Sequence, residues 1–251
     1  MSLTYCTKFV CANQQRMNIK KHIPNFITLL NLFSGCVALI FATRLNFEMA
    51  FLFVCLGIFF DFFDGFFARM FKVSSPLGLQ LDSLADMVTS GLTPGYIMYL
   101  LLAGAEDADS NFAFLPFLGF IITLGSCYRL ANFNIDTRQT DSFIGLPTPA
   151  NALFIMSLPM IKFEGSLIFL EILINPYILL AITAFSAYIL NAEIPLFALK
   201  IKKFSFRDNL VQICFLAISL LLLIWLQYGA IPLIIMTYIL ISVIMNRRQH
   251  R

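Results

Sequence analysis

The sequence predicts an all-α fold, a polytopic bundle of transmembrane helices with about eight spans and both termini in the cytoplasm. The composition is the first observation behind this fold class. Of the 251 residues, 59% are hydrophobic and 12% are charged, and the mean hydropathy is +0.84. Because a soluble domain carries roughly 25% charged residues, most of the surface of this chain is expected to face lipid. The long apolar runs and the positions of the basic residues supply the other two observations.

Apolar runs of roughly 17–25 residues, the length that crosses a bilayer, define the spans. The predicted spans are Phe26 to Thr43, Met49 to Arg69, Leu79 to Ala103, Asn111 to Leu130, Leu146 to Ile161, Leu167 to Leu190, Asn209 to Tyr228 and Ala230 to Met245. The fifth is short and the sixth contains Pro176, so these two are the weakest. A tight turn near Gly229 joins the last two.

The basic residues indicate how the spans are oriented. When the N-terminus is placed in the cytoplasm and the spans alternate, 15 of the 17 lysines and arginines fall on the cytoplasmic side. Only Arg44 and Lys162 fall outside, and the outer loop 105–109 is acidic. This positive-inside bias supports both the span count and the orientation, and we expect an integral protein of the inner cell membrane. It also places the turn from Arg69 to Gly78 at the cytoplasmic face.

The chain divides into a short first segment and one long domain. Residues 1–16 differ from the rest, and we interpret them as a disordered extension or an upstream start. Residues 17–251 are predicted to form a single integral membrane domain.

The most informative pattern is a set of four aspartates within strongly apolar sequence. Spacings of three and four residues place them on one face of each of two successive helices, beside small residues. A carboxylate at the bilayer centre costs about 2.5–3.5 kcal/mol, and four like charges also repel one another. Two facing helices would therefore form a divalent-metal site. The residues are Asp61, Asp64, Gly65 and Ala68 on the first helix, and Gly78, Asp82 and Asp86 on the second.

The available ligands indicate which metal such a site would bind. Carboxylate oxygens suit Mg²⁺ or Mn²⁺, whereas zinc prefers histidine and cysteine. His22 and His250 lie at the extremities of the chain, and the six cysteines show no spacing typical of a zinc site. A magnesium or manganese site is therefore expected.

Written out, the aspartate pattern is Asp61-x2-Asp64-Gly65-x2-Ala68-Arg69-x8-Gly78-x3-Asp82-x3-Asp86. It resembles the signature of the CDP-alcohol phosphatidyltransferases, and every specified position is filled. The segment Pro24–Thr28 is similar to the N-terminal segment of that family. The segments Tyr128–Asn134 and Phe143–Ala150 resemble its serine-using branch, which often has a second arginine where this chain has Asn132. The resemblance covers most of the chain from about Lys20 onward.

The resemblance implies an enzyme that transfers a phosphatidyl group from CDP-diacylglycerol to L-serine and releases CMP. It implies two divalent ions, Mg²⁺ or Mn²⁺, which together hold a diphosphate and stabilise charge on the attacking and leaving oxygens. Asp61, Asp64 and Asp82 would be metal ligands. Asp86 would lie at the metal centre and act as the general base toward the acceptor hydroxyl.

The same resemblance suggests which residues contact the two substrates. The donor-binding residues would be Asn25, Thr28, Gly65, Ala68, Arg69 and Gly78. The acceptor-binding residues would be Arg129, Asn134 and Thr148, since a guanidinium can pair with a carboxylate or a phosphate. Family members are commonly homodimers, so a homodimer in membrane lipid is expected, and no nucleic-acid partner.

Two other functions remain open at this point. The same chemistry could use another acceptor, such as glycerol 3-phosphate or an inositol phosphate, but few basic residues surround Arg129 to bind a second phosphate. A divalent-cation transporter could instead use the aspartates as its ion pathway. Transporters often show internal repeats and broken helices in matching halves, and this sequence shows neither clearly.

Overall fold

The computed structural model describes residues 3–73, 75–105, 114–136, 143–161, 175–196 and 210–249, and these residues are almost entirely helical. Their α-helices are α1 (Leu3–Thr43), α2 (Phe47–Phe71), α3 (Pro76–Asp86), α4 (Thr93–Ala105), α5 (Ile121–Ile135), α6 (Thr148–Ile161), α7 (Pro176–Asn191), α8 (Leu210–Leu226) and α9 (Ala230–Gln249). A π-helical turn, Met87–Leu92, joins α3 to α4. Short 3₁₀ turns, Leu115–Phe120 and Gln227–Gly229, precede α5 and α9. The two-residue strands β1 (Phe143–Ile144) and β2 (Pro195–Leu196) pair antiparallel.

The all-α prediction is confirmed, and the described chain contains helices suited to a membrane. Four stretches are long and apolar enough to cross one: His22–Thr43, Phe47–Phe71, Pro76–Ala105 and Gln212–Asn246. The last of these comprises two helices side by side, because the rings of Phe215 on α8 and Tyr238 on α9 lie 5.9 Å apart. Every predicted span contains helix within the described residues, and the number of crossings stays a prediction.

The helix ends differ from the predicted spans at three places. The backbone of α1 begins at Leu3 and continues through Pro24, well before the predicted start of the first span. Helix α5 ends at Ile135 rather than near residue 130. Helix α7 begins at Pro176, where the Asn175 side chain accepts hydrogen bonds from the first backbone amides, because proline fits the first turn of a helix. Residues 162–174, within and before the predicted sixth span, lie outside the described residues.

Helices α1 and α2 pack along their length and meet the π-helical turn at two glycines. A Cβ on Gly57 would lie 2.6 Å from the Thr89 methyl group, and one on Gly35 would collide with the Thr89 hydroxyl. The Thr89 hydroxyl donates to the backbone carbonyl of Asn31 at 3.1 Å. The π turn itself follows from Pro94, which has no amide hydrogen for the carbonyl of residue 90 in α geometry. Small residues therefore let three helical segments meet just beyond the aspartates.

Helix α6 lies at the centre of the bundle. Eleven of its residues are buried, including the whole run from Phe154 to Ile161. They pack in one hydrophobic core with residues of α1, α2, α4, α5 and α7, such as Val54, Met98 and Leu179. The outer surface is also apolar, as a lipid-facing surface requires. The exposed phenylalanines of α2 belong to it, namely Phe59, Phe62 and Phe66.

Segments predicted to be cytoplasmic come together at one end of the bundle. The β1–β2 pair joins the connection before α6 to the connection after α7, with Ile144 opposite Pro195. At the other end, Phe51 near the start of α2 contacts Tyr228 in the turn between α8 and α9, with ring centroids 5.5 Å apart. This grouping agrees with alternating spans. The acidic loop 106–110, Arg138, Lys162 and the basic segment 200–207 lie outside the described residues.

Candidate active site

The turn between α2 and α3 brings the two aspartate-bearing helices together. Helix α2 ends in a Schellman motif: the amide of Val73 bonds to the carbonyl of Ala68, and that of Lys72 to Arg69. Lys72 adopts a left-handed conformation with φ 54°. Ser75 then caps the start of α3, and its hydroxyl accepts a hydrogen bond from the amide of Gly78 at 3.0 Å. These two caps reverse the chain at the end of the bundle where the motif lies.

Three carboxylates converge beside this turn. One oxygen from each of Asp61, Asp64 and Asp82 lies within 4.8 Å of the others. Asp64 is buried and the other two are half-buried. Like charges so close together in a poorly hydrated place repel strongly. A divalent cation with oxygen preference fits this donor set, because its charge offsets the repulsion and carboxylates are its usual ligands.

Helix α1 supplies neutral partners for two of the four aspartates. The Thr28 hydroxyl is in short hydrogen-bonding contact with Asp64, and the Asn31 amide nitrogen donates to Asp86 Oδ1 at 2.9 Å. Asp86 is 9% exposed and stands outside the group of three convergent carboxylates. The structure therefore distinguishes Asp86, which a buried amide holds, from the three aspartates gathered at one point.

A cavity of about 490 Å³ opens at this place. Its lining includes two convergent aspartates, Asp64 and Asp82, and all six residues predicted to bind the donor. The cationic side chains on its wall are Arg69 and Lys72. The structure thus brings together residues from α1, α2 and α3 that the sequence motif assigned to the donor: Asn25, Thr28, Gly65, Ala68, Arg69 and Gly78.

The three predicted acceptor residues lie in different surroundings. The Asn134 amide donates to the Ser83 hydroxyl at 2.9 Å, so Asn134 lies against α3 at the residue that follows Asp82 in the sequence. Arg129 is 8% exposed, and its Nη1 donates to the backbone carbonyls of Ile144 at 2.6 Å and Leu190 at 2.9 Å. Thr148 is buried at the start of α6. Asn134 therefore lies beside the aspartate helix, whereas Arg129 joins the connection before α6 to the last turn of α7.

Sequence reasoning missed two residues that contact the motif. Asn31 was not singled out, although Asn25, Thr28 and Asn31 follow one another at a spacing of three and so share one side of the first span. That polar stripe in an apolar segment was the available signal. Lys72 was counted only as a basic residue on the cytoplasmic side, and its left-handed conformation beside the cavity could not be inferred from the residue type.

Comparison with known proteins agrees with this site. A family model described as CDP-alcohol phosphatidyltransferase matches residues 21–189, which include all four aspartates and the cavity residues. The match covers more than half of the chain, and the chain belongs to the CDP-alcohol phosphatidyltransferase family. The family assigned from the aspartate motif is therefore confirmed.

Several curated relatives carry one name, CDP-diacylglycerol–serine O-phosphatidyltransferase. The Bacillus subtilis protein is 36% identical over 132 residues, covering 51% of this chain and 70% of that protein. The Methanocaldococcus jannaschii protein is 35% identical over 134 residues, covering 53% and 58% respectively. The Saccharomyces cerevisiae protein is 32% identical over 153 residues, covering 55% and 53%. The matched region thus spans 53–70% of the length of these relatives.

Proposed function

We propose that this protein transfers a phosphatidyl group from CDP-diacylglycerol to L-serine, forming phosphatidylserine and CMP. The observation that carries the proposal is the convergence of Asp61, Asp64 and Asp82 beside a cavity lined by the rest of the family motif. The names of the curated relatives support serine as the acceptor. The site belongs to one membrane domain, residues 17–251, to which residues 1–16 are an extension.

The convergent aspartates fit a pair of Mg²⁺ or Mn²⁺ ions, because the donors are all oxygens and their like charges require compensation. Asp61, Asp64 and Asp82 would hold these ions, with Asp86 at the edge of the same centre. When bound, such ions neutralise a diphosphate and stabilise charge on the oxygens that attack and leave.

The residues of the cavity bind and orient the donor. Outside the backbone of its own helix, the nearest atoms to a Cβ on Gly65 would be the Arg69 guanidinium nitrogens at 3.8 and 3.9 Å, so the donor can approach the backbone of α2 there. At Gly78 a side chain would crowd Ser75 Oγ at 3.1 Å and Asn25 Oδ1 at 3.2 Å, which keeps α1 close to α3. Arg69 and Lys72 on the wall offer positive charge to the diphosphate. We place the cavity at the cytoplasmic edge of the membrane, where the acyl chains of the donor would stay in the leaflet.

The transfer exchanges one phosphorus–oxygen bond for another. The serine hydroxyl oxygen attacks the phosphorus that bears diacylglycerol, and the bond from that phosphorus to the CMP phosphate breaks. Asp86 accepts the hydroxyl proton as the general base. On the acceptor side we propose Asn134, which contacts the aspartate helix through Ser83, together with Arg129 and Thr148.

We propose that both termini and the active site face the cytoplasm of a cell whose inner membrane holds the protein. The support is the 15-to-2 division of basic residues and the meeting of predicted cytoplasmic segments at one end. This placement gives serine and CMP direct access to water. The homodimer implied by the family resemblance stays a prediction.

The acceptor is tested by competition. Purified protein with CDP-diacylglycerol and Mn²⁺ or Mg²⁺ receives serine, glycerol 3-phosphate and inositol phosphate together, and the lipid products are separated and quantified. We expect phosphatidylserine, with CMP released in equal amount and no release after chelation of the metal. Preference for a phosphorylated acceptor would overturn serine and leave the phosphatidyl transfer intact. Metal-dependent cation uptake into vesicles without CMP release would favour a transporter.

A further inference from the structure

The carboxamide of Asn31 is held in a fully buried place against the fourth aspartate. Its side chain has no exposed surface, and its Nδ2 donates to Asp86 Oδ1 at 2.9 Å. Its Oδ1 is buried and has no hydrogen-bond partner. Leaving a buried acceptor unpaired is unfavourable, so stability alone does not explain a buried asparagine at this position. The bond to Asp86 accounts for its orientation, because the reversed amide would set its oxygen against a carboxylate.

Neighbouring helices leave this carboxamide little freedom to move. The Thr89 hydroxyl donates to the Asn31 backbone carbonyl, which fixes α1 against the π-helical turn. Gly57 on α2 faces the amide, and a Cβ there would lie 2.8 Å from Asn31 Oδ1. The absence of a side chain at Gly57 therefore creates the space that the carboxamide fills.

We propose that Asn31 is a positioning residue for Asp86 and that Gly57 makes its position possible. The amide occupies Oδ1 of Asp86 and fixes the rotation of the carboxylate, which leaves Oδ2 to meet the acceptor hydroxyl. This inference rests on the proposed function, because it assigns to Asn31 the orientation of the group that takes the serine proton. Asn31 does not line the cavity, and we nevertheless expect it to control the rate of transfer.

The first test replaces the amide by an apolar side chain of similar volume. In Asn31→Leu we expect kcat for serine-dependent CMP release to fall about 10- to 100-fold, the usual effect of losing a residue that orients a ligand or base. The KM for CDP-diacylglycerol and the half-saturating metal concentration should not change. The matched control is Ser34→Ala, also buried on α1, whose hydroxyl bonds only within its own helix to Leu30 at 2.8 Å.

The second test asks whether Asn31 acts through Asp86. Residues that work as a unit give non-additive effects, so adding Asn31→Leu to Asp86→Asn should cause no further loss. If Asn31 had a merely structural role, Asn31→Leu would lower the activity of Asp86→Asn by the same factor by which it lowers the activity of the unmodified protein.

A third variant avoids altering the amide and keeps the inference falsifiable if Asn31→Leu does not fold. In Gly57→Ala the new methyl group would lie 2.8 Å from Asn31 Oδ1 and 2.6 Å from the Thr89 methyl group, so it displaces the carboxamide and crowds Thr89. We expect kcat to fall about tenfold with an unchanged KM for the donor. Gly104→Ala on α4, with nothing within 4 Å of its Cβ, is the control.

Absence of serine-dependent CMP release by the unmodified protein would overturn the proposed function. An active unmodified protein with an unchanged kcat in both variants would overturn this inference alone.

Discussion

At the scale of single residues, the four aspartates of the motif fall into two environments. Three present oxygens within 4.8 Å of one another, and Asp86, which is outside this group of three, is buried against the Asn31 amide. The chemistry proposed above assigns them different tasks, namely binding cations and accepting a proton. Substitution by asparagine separates these tasks, since it preserves shape and removes charge and basicity.

In Asp86→Asn we expect transfer to fall by roughly 10²-fold or more, the usual contribution of a general base. Donor binding should survive better than in Asp61→Asn or Asp64→Asn, where the carboxylates that gather cations are lost. The measurements are kcat and metal-dependent binding of CDP-diacylglycerol, and Gln80→Ala on the exposed side of α3 is the control. Near-normal turnover in Asp86→Asn would refute its role as the base.

Gly145 allows a second prediction for a single residue. Its φ is +74°, and a Cβ there would lie 2.6 Å from the carbonyl of Leu190 and 2.9 Å from Arg129 Nη1. Gly145→Ala should therefore destabilise the protein by at least about 1 kcal/mol, the cost of a side chain in left-handed backbone. Thermal unfolding in detergent should show a lower midpoint than Gly104→Ala, and an equal midpoint would contradict the prediction.

At the scale of elements, each helix near the site has a distinct part. Helix α1 provides hydrogen bonds to two aspartates, α2 and α3 carry the motif, and the π turn after Asp86 packs against α1 and α5. The Thr123 hydroxyl of α5 donates to the carbonyl of Gly91 in that turn at 3.1 Å. Such turns often occur at functional sites. Here the π-helical turn accommodates Pro94, and the helix continues without a break to Ala105.

The beginning of α1 supports a prediction about a whole element. Deletion of Met1–Arg16 should leave insertion and activity intact, because the described contacts with the site begin at Pro24 and the family match begins at residue 21. Helix α1 would retain its apolar stretch His22–Thr43. The check is CMP release by the truncated protein after its insertion is verified. Loss of activity in a well-inserted protein would show that this segment belongs to the working enzyme.

At the scale of the molecule, the distribution of charge predicts the orientation in the membrane. The turns at Leu45 and Gln227 are predicted to lie outside the cell and Glu193 inside. In a cysteine-free background, a membrane-impermeant maleimide added to intact cells should label Leu45→Cys and Gln227→Cys and should not label Glu193→Cys. The reverse result would move the active site to the other side of the membrane.

Much of the fold could be predicted from the sequence because the bilayer constrains it strongly. Backbone groups in hydrocarbon must be paired internally, so each long apolar run implies a helix, and all eight predicted spans contain one. Helix α6 was difficult because it is only 14 residues long, roughly 21 Å. The near-complete burial of α6 explains its short length, since lipid does not set the length of a helix enclosed by others. The helical start of α1 before Pro24 could not be read from apolar runs.

The sequence by itself determined the family and the set of residues that gather around the cavity between α1, α2 and α3. It could do so because carboxylates are too costly in apolar sequence to occur in a spaced pattern without a function. Only the tertiary structure decided which groups form hydrogen bonds with these residues. The bond from Asn31 to Asp86, the carbonyls bound by Arg129 and the contact of Asn134 with Ser83 join residues 15 to 61 positions apart. Such partners depend on how helices meet, and helical periodicity shows only which residues share a face of one helix.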